Sequence, residues 1–290
     1  MEYLVNNLVV QNFFDQETST LTYIVFDNVS KDAVIIDPVL NYDLASSTIT
    51  DDSLQELDIF IKENSLNPRL LLETHAHADH ITGAQTMKKN YPEAKVGIGK
   101  EIVAVQKTFK QVFNLSYLKS DGSQFDLLLQ DNQVIECGNI QIKVVATPGH
   151  TPACVSFLIQ DMLFVGDALF MPDSGTGRCD FPQGSAETLY ESIQHKVYEM
   201  PPSTKIFVGH DYQPNGRELQ FETTVNDSRR HNIQLREKTP KSEFTEFREK
   251  RDSGLSFPKL LLTSIQININ GGNFPPAEDN GVSYLKIPLE

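Results

Sequence analysis

The chain predicts an α/β protein: a four-layer α/β/β/α sandwich of two mixed β-sheets flanked by helices, followed by a C-terminal helical and tail extension. Three observations predict it. Short apolar, β-branched runs recur along the 290 residues. They alternate with stretches of helical spacing, and ligand-type polar residues stand at the ends of those runs in both halves of the chain. Two sheets packed face to face, with helices outside, bring such strand ends to one edge.

Residues 8–14, 20–26 and 33–37 read as three strands of a β-meander. Asp51-Asp52-Ser53 opens a helix to about Asn64, with Ser53 and Glu56 at capping-box spacing. Residues 69–74 have buried-strand character and 81–90 have helical spacing, so the segment between them is a strand-to-helix turn. Strand and helix alternate through Lys110. The polar stretch 114–132, containing Lys119-Ser120-Asp121-Gly122, reads as a surface excursion near the pocket.

In the second half, hairpins are expected at Gly138-Asn139 and Gln160-Asp161. Residues 140–146 and 162–166 are apolar strands, 185–197 is an amphipathic helix, and 205–209 is a further strand end. Beyond it, 217–236 and 242–252 read as polar helices. The Gly/Pro-rich tail 268–290 ends in a strand-like 282–287, whose Tyr284, Leu285 and Ile287 are apolar anchors for packing on the body or on a second subunit. No stretch has the composition of a flexible linker. The division expected is a catalytic domain at 1–240 and an extension at 241–290 that packs on the same domain or on a dimer partner.

Composition narrows the function classes. A net charge of −14 and a pI near 4.9 argue against nucleic acid or an anionic membrane as the main partner, and an anionic substrate would need a local basic patch. No apolar run approaches transmembrane length, and Met1-Glu2-Tyr3-Leu4-Val5-Asn6-Asn7 lacks the basic and apolar regions of a secretory signal, so a cytoplasmic location is expected. Cys137, Cys154 and Cys179 form no Cys-x-x-Cys pair and suit a reducing compartment. Cys154 reads as core and Cys179 as a buried inert thiol.

Chemistry concentrates in Thr74-His75-Ala76-His77-Ala78-Asp79-His80 and continues through His150, Asp167 and His210. Five of the seven histidines fall in this set. In an extended segment side chains two apart share a face, so His75 and His77 point into one space, while Asp79 and His80 lie past the bend toward a neighbouring position. One turn could serve two adjacent metals. His150 follows Thr147-Pro148-Gly149 on a stiff loop. Asp167 follows an apolar strand into Ala168-Leu169-Phe170, where an ionised carboxylate is costly unless a cation or hydrogen-bond donors compensate it. Four separate strand ends carrying imidazole or carboxylate ligands are what a metal site across a sheet edge requires. His195 and His231, in polar helical surroundings, read as solvated or cap-forming.

The ligand run, Pro-Gly-His150, Gly-Asp167 and Gly-His210 together resemble the metallo-β-lactamase superfamily, over about Val9 to Tyr212. Within it, residues 34–40 and 74–83, Gly177-Arg178-Cys179-Asp180-Phe181 and His210-Asp211-Tyr212 resemble the persulfide dioxygenases, or sulfur dioxygenases. The longer loops and the tail from Ala277 through Pro288 are similar to a bacterial branch of β-lactamase-like hydrolases associated with sulfide detoxification.

The resemblance implies one Fe(II) per subunit, held by His75, His150 and Asp167, and oxidation of glutathione persulfide with O2 to sulfite and glutathione in a homodimer. Two imidazoles and one carboxylate leave open positions on the iron, the logic of a facial triad. His77, Asp79, His80 and His210 are then a retained second site or a supporting shell. Arg178 is a candidate for the glutathione end of the pocket, or a structural ion pair with Asp180 or Asp211. Tyr212 is a candidate substrate contact, and Asp180 and Asp211 are candidate supports. Because the full two-metal ligand set is present, a dinuclear zinc hydrolase of glutathione thioesters, of glyoxalase II type, is the rival. A metal-binding sensor or scaffold without activity is the third reading.

Overall fold

The structure is a computed structural model that describes residues 3–5 and 7–289, with side chains from residue 7 onward. The first half runs β1 (Tyr3–Val5), β2 (Leu8–Asp15), β3 (Thr20–Asp27), β4 (Asp32–Ile36), β5 (Val39–Asp43), β6 (Thr48–Thr50), α1 (Asp52–Glu63), β7 (Asn67–Leu72), β8 (Ile81–Thr82), α2 (Ala84–Asn90), β9 (Lys95–Gly99), α3 (Ile102–Val112) and β10 (Leu127–Leu129). The second half runs β11 (Val134–Cys137), β12 (Ile140–Ala146), β13 (Val155–Ile159), β14 (Met162–Phe164), α4 (Ala186–Ser192), β15 (Lys205–Phe207), β16 (Glu222–Thr224), α5 (Val225–His231), α6 (Lys241–Asp252) and α7 (Leu261–Asn268).

Two mixed sheets result, ordered β1-β2-β3-β4-β7-β9-β10 and β11-β12-β13-β14-β15-β16, with a small sheet β6-β5-β8 beside them. In the first, the meander β1 to β4 is antiparallel and β4, β7, β9 and β10 are parallel. In the second, β14 and β15 run parallel and the other neighbours antiparallel.

Side-chain alternation decides which layers meet. On β4, Val34 and Ile36 enter the cluster between the sheets, whereas Ala33 and Ile35 enter the cluster beneath Leu54, Leu57 and Ile61 of α1 and Val105 and Phe109 of α3. Leu70 and Leu72 of β7 divide from Leu71 in the same way. On the other side Leu189 of α4, Val225 of α5 and Phe244 of α6 cover the second sheet. This is the expected four-layer sandwich. Tyr23 ties the two sheets together. Its ring meets Phe164 at 5.1 Å and Phe207 at 5.6 Å, edge-on, and its hydroxyl donates to the Val208 carbonyl at 2.7 Å.

Several local expectations are corrected. Ser53 caps nothing: its hydroxyl donates to Asp15 and its amide to Asn41, and the N-cap of α1 is Asp51. The helix expected over 81–90 begins at Ala84, because Ile81 and Thr82 pair with β5 instead. The stretch 114–132 is not an excursion at the pocket; its end forms β10 beside β9, and Gln106 of α3 accepts from the Gly122 amide. Residues 217–236 are not one helix but β16 followed by the short α5. The tail residues 282–287 form no strand. Lys286 exchanges hydrogen bonds with the Gln266 side chain, and its ammonium donates to the Asn114 carbonyl at 2.7 Å.

Tyr23→Phe removes the inter-sheet hydrogen bond and leaves a buried carbonyl unpaired, so a loss of about 1–2 kcal/mol is expected. Urea denaturation followed by circular dichroism measures it. An unchanged midpoint would show that the hydroxyl does not couple the sheets.

Candidate metal centre

The ligand-type residues gather at one edge of the two sheets. The chain leaves β4 at Asp37 with φ +51°, and this buried carboxylate organises the histidine-rich turn after β7. It accepts from the Thr74 amide at 2.7 Å, the Thr74 hydroxyl at 2.8 Å and His77 Nε2 at 3.0 Å. With its proton given to Asp37, the Thr74 hydroxyl accepts from His75 Nδ1 at 3.0 Å. That bond places the free lone pair of His75 on Nε2, the ring atom facing the other ligands.

Two glycines shape the second half around the site. Gly149 has φ +142°, and a Cβ there would stand 2.4 Å from Leu189 Cα of α4. Gly166 has φ +50°, and a Cβ there would stand 2.4 Å from Thr74 Oγ1, in the first-half run. Gly149 thus lets the His150 loop pack on α4, and Gly166 lets Asp167 reach the first-half run.

Asp167 sits at the centre. Its Oδ2 lies 3.6 Å from His150 Nε2 and 3.9 Å from His75 Nε2, and its Oδ1 lies 3.3 Å from His210 Nε2. His75, His150 and Asp167 offer ligand atoms that all lie within 4.8 Å of one another. His150 Nδ1 donates to the Arg178 carbonyl at 2.6 Å, which leaves its Nε2 directed at the cluster. Burial, reinforced by His77 and His150, pushes the His75 pKa well down and keeps the ring neutral, as a ligand must be. His75 Nε2 is buried without a hydrogen-bond partner, as is Asp167 Oδ1 on the His210 side of the carboxylate. An imidazole nitrogen left bare beside a buried carboxylate fits a divalent first-row metal.

His77 lies beside His75, with ring centroids 4.1 Å apart. Its Nε2 points to Asp37 at 3.0 Å and Glu73 at 3.2 Å, while its Nδ1 is buried without a hydrogen-bond partner and the residue groups with Asp79 and His80. Burial opposes protonation of this ring, and the two carboxylates overcome it, raising its pKa well above the ordinary value. Asp79 and His80 do face a neighbouring position: Asp79 Oδ2 lies 3.1 Å from His80 Nδ1 and 3.4 Å from His210 Nε2. His210 Nδ1 donates to the Ser19 carbonyl at 3.1 Å.

A cavity of about 650 Å³ opens onto His150, Asp167 and Asp79, walled by Phe170, Phe181 and Tyr212. The Tyr212 ring stacks on His210 at 5.6 Å. Arg178 also lines the cavity, but its guanidinium grips Asp180 through two bonds of 2.6 Å and donates to the Ser256 carbonyl at 2.8 Å. Among the described residues the Asp211 carboxylate makes no hydrogen bond to a ligand-type side chain. It holds Arg217 through two bonds of 2.7 Å and so fixes the loop after His210. His195 is exposed between Glu191 and Glu199, and His231 ends α5. All three cysteines are buried thiols, with burial pushing Cys154 up to about 12.

Sequence reasoning missed Asp37, Glu73, Ser264 and Asn268 as parts of this centre. Asn268, on α7, donates to the carbonyls of both His77 and His80 at 2.8 Å and accepts from the Thr82 amide at 2.9 Å. Ser264, one helical turn earlier, donates to the Ala78 carbonyl at 2.8 Å. The available signal was a helix of apolar residues interrupted by Ser264, Gln266 and Asn268, all of which are buried.

Two substitutions test this support. Asp37→Asn should weaken metal retention about 10–100-fold, as loss of a partner behind the ligands does, measured by competition with a chelator. Asn268→Ala should cost about 1–3 kcal/mol by stranding two buried carbonyls, measured by chemical denaturation. Native affinity in the first, or native stability in the second, would remove that residue from the account.

Residues 16–210 match the model of the metallo-beta-lactamase superfamily. The chain is 47% identical to glyoxylase B2 of Dictyostelium discoideum over 286 residues, covering 98% of each protein. It is 34% identical to the mitochondrial persulfide dioxygenase ETHE1 of Homo sapiens over 207 residues, 71% of this chain and 69% of that one. The crystal structure of ETHE1 from Myxococcus xanthus superposes with a TM-score of 0.73 at 28% identity, covering 91% of this chain and 99% of the other. Fold, ligand cluster and relatives agree: the chain belongs to the metallo-beta-lactamase superfamily.

Proposed function

We propose that the protein is a persulfide dioxygenase that oxidises glutathione persulfide with O2 to sulfite and glutathione, using a single Fe(II) held by His75, His150 and Asp167. The observation that carries this reading is the convergence of two imidazole nitrogens and one carboxylate at His75, His150 and Asp167. Such a triad, when loaded, supplies a redox-active ion with open positions for sulfur and oxygen. The persulfide dioxygenase relatives support the same choice.

The chain's own residues bind, orient and shield. Hydrogen bonds from His75 to Thr74 and from His150 to the Arg178 carbonyl hold both rings with Nε2 toward Asp167. Phe170 and Phe181 line the cavity beside these ligands and keep water from the reacting sulfur. Tyr212 places a phenol at the cavity wall as a contact for the substrate. The cavity's volume of about 650 Å³ falls in the usual range of small-molecule sites, ~300–1,000 Å³.

A second reading rests on a specific feature. Asp167 turns one oxygen to His75 and His150 and the other to His210, which in turn faces Asp79. This divided carboxylate suits a two-metal zinc hydrolase of glutathione thioesters, and the Dictyostelium glyoxylase B2 relative favours it.

Metal analysis of protein produced without added zinc, with parallel assays of oxygen uptake and thioester cleavage, separates the readings. The expected result is one iron per chain with oxygen uptake on glutathione persulfide. His150→Ala should lose iron and turnover together, while His210→Ala keeps most of its iron. Two zincs with thioester cleavage and no oxygen uptake would overturn the dioxygenase, and equal iron loss in both variants would argue for a shared two-metal site.

A further inference from the structure

We propose that Asp252, held by Arg248, is a positioning residue for the metal centre: its carboxylate acts on His150 through the single peptide group that joins Arg178 to Cys179. The proposal rests on the reading of His150 as a metal ligand. His150 Nδ1 donates to the Arg178 carbonyl at 2.6 Å, and the Cys179 amide donates to Asp252 Oδ2 at 2.7 Å. That carbonyl and that amide are the two ends of one peptide plane. The unit is therefore pinned on both sides, by an imidazole N–H on its oxygen and by a carboxylate on its nitrogen.

Asp252 ends α6 and is 3% exposed, and Arg248, one turn earlier, is 1% exposed. Arg248 Nε and Nη2 both donate to Asp252 Oδ1, and Nε also lies 3.2 Å from Oδ2. Nη1 turns to the Thr176 carbonyl at 3.1 Å and to Gln234 Oε1 at 2.8 Å. The pair thus grips the 174–180 loop at Thr176 and at Cys179. Gly177, between them, packs on the backbone of Asp167, since a Cβ there would stand 1.9 Å from the Asp167 carbonyl oxygen. Stability gives little reason for such a pair, because buried ions recover little more than their cost of desolvation and apolar side chains of like volume do as well. What an apolar pair cannot do is place a negative charge on the Cys179 amide.

A charge on the N–H of a peptide polarises its carbonyl, because hydrogen bonds in a chain strengthen one another where water is excluded. The Arg178 carbonyl then accepts more strongly from His150 Nδ1, which fixes the tautomer of the ring and makes its Nε2 a more basic ligand. A metal-bound histidine commonly has a carboxylate directly behind it. Here a peptide group stands between the two. The carboxylate comes from α6, beyond the family match that ends at residue 210.

The test labels cysteine alone with 15N in the full chain, which gives three amide signals, those of Cys137, Cys154 and Cys179. Adding Zn2+ to the metal-free wild type should strengthen the His150 Nδ1 hydrogen bond and, through the peptide, move the Cys179 amide proton downfield, while Cys137, on β11, stays in place. The double variant Arg248→Gln with Asp252→Asn keeps side chains of similar shape and removes both charges together, so that neither is stranded. In it the His150 Nδ1 proton of the metal-free protein should move upfield, and Zn2+ affinity, measured by competition with a chelator, should fall about 10-fold. Gln234→Ala is the control, since it loosens the same loop at Ser174 and Thr176: its melting temperature should drop while its Zn2+ affinity holds. A Cys179 signal that ignores Zn2+, wild-type affinity in the double variant, or an equal loss in Gln234→Ala would each reduce Asp252 to a fastener of the loop. If the double variant does not fold, the wild-type shift decides alone. His150→Ala judges the centre separately. If that variant keeps wild-type Zn2+ affinity, His150 is no ligand and the reading beneath the proposal fails. If Zn2+ binds through His150 and Cys179 does not respond, the centre stands and the link to Asp252 fails.

Discussion

A carboxylate shut away from water must be neutralised where it stands, and in this protein that requirement falls on Asp37, which is 2% exposed. Its compensation comes from the Thr74 amide, the Thr74 hydroxyl and His77. Meeting it has two consequences for the metal centre. The Thr74 hydroxyl, having given up its proton, fixes the tautomer of His75 with Nε2 free. His77, drawn in as the cationic partner of Asp37 and Glu73, is held by its Nε2, which leaves its buried Nδ1 without a hydrogen-bond partner. One buried charge therefore orients two neighbouring histidines of the run.

The ligand run is held from a second direction by a part of the chain beyond the family match, which ends at residue 210. Asn268 and Ser264 of α7 take up the carbonyls of His77, Ala78 and His80, backbone groups that have no strand or helix to pair them. The same C-terminal segment supplies Arg251, Phe257 and Lys259 to the cavity wall. Support of the ligands and shaping of the cavity are thus coupled through the loop between α6 and α7. A change in that loop reaches the centre from behind as well as from in front.

Much of this was legible from periodicity alone. Apolar, β-branched runs at 33–37, 140–146 and 162–166 placed strands in both halves, and the ligand-type residues at strand ends placed the site at one sheet edge. The features that escaped reading were polar and long-range. Ser53 and Glu56 have capping-box spacing, yet Asp15 and Asn41, distant in sequence, take the serine's hydrogen bonds. Residues 217–236 have helical composition, but pairing of Glu222–Thr224 with β15 claims their centre for a strand. Asn268 looked like the start of a Gly/Pro-rich tail. Nothing local indicates that a buried asparagine two hundred residues downstream answers the carbonyls of a histidine-rich turn.

Presence of seven ligand-type residues does not by itself require two metals, because their charges are unevenly satisfied. Asp37, Glu73 and His77 compensate one another, and Asp79 lies within 3.1 Å of His80 Nδ1 and 3.4 Å of His210 Nε2. His77 is one cation facing two carboxylates. Bare ring atoms stand on both sides, His75 Nε2 on one and His77 Nδ1 and His80 Nε2 on the other, and Asp167 joins them, with Oδ2 toward His75 and His150 and its bare Oδ1 toward His210. A position beside Asp79, His80 and His210 takes an ion only if the ion replaces the contacts these three side chains already make with one another, whereas His75 Nε2 has no such contact to give up.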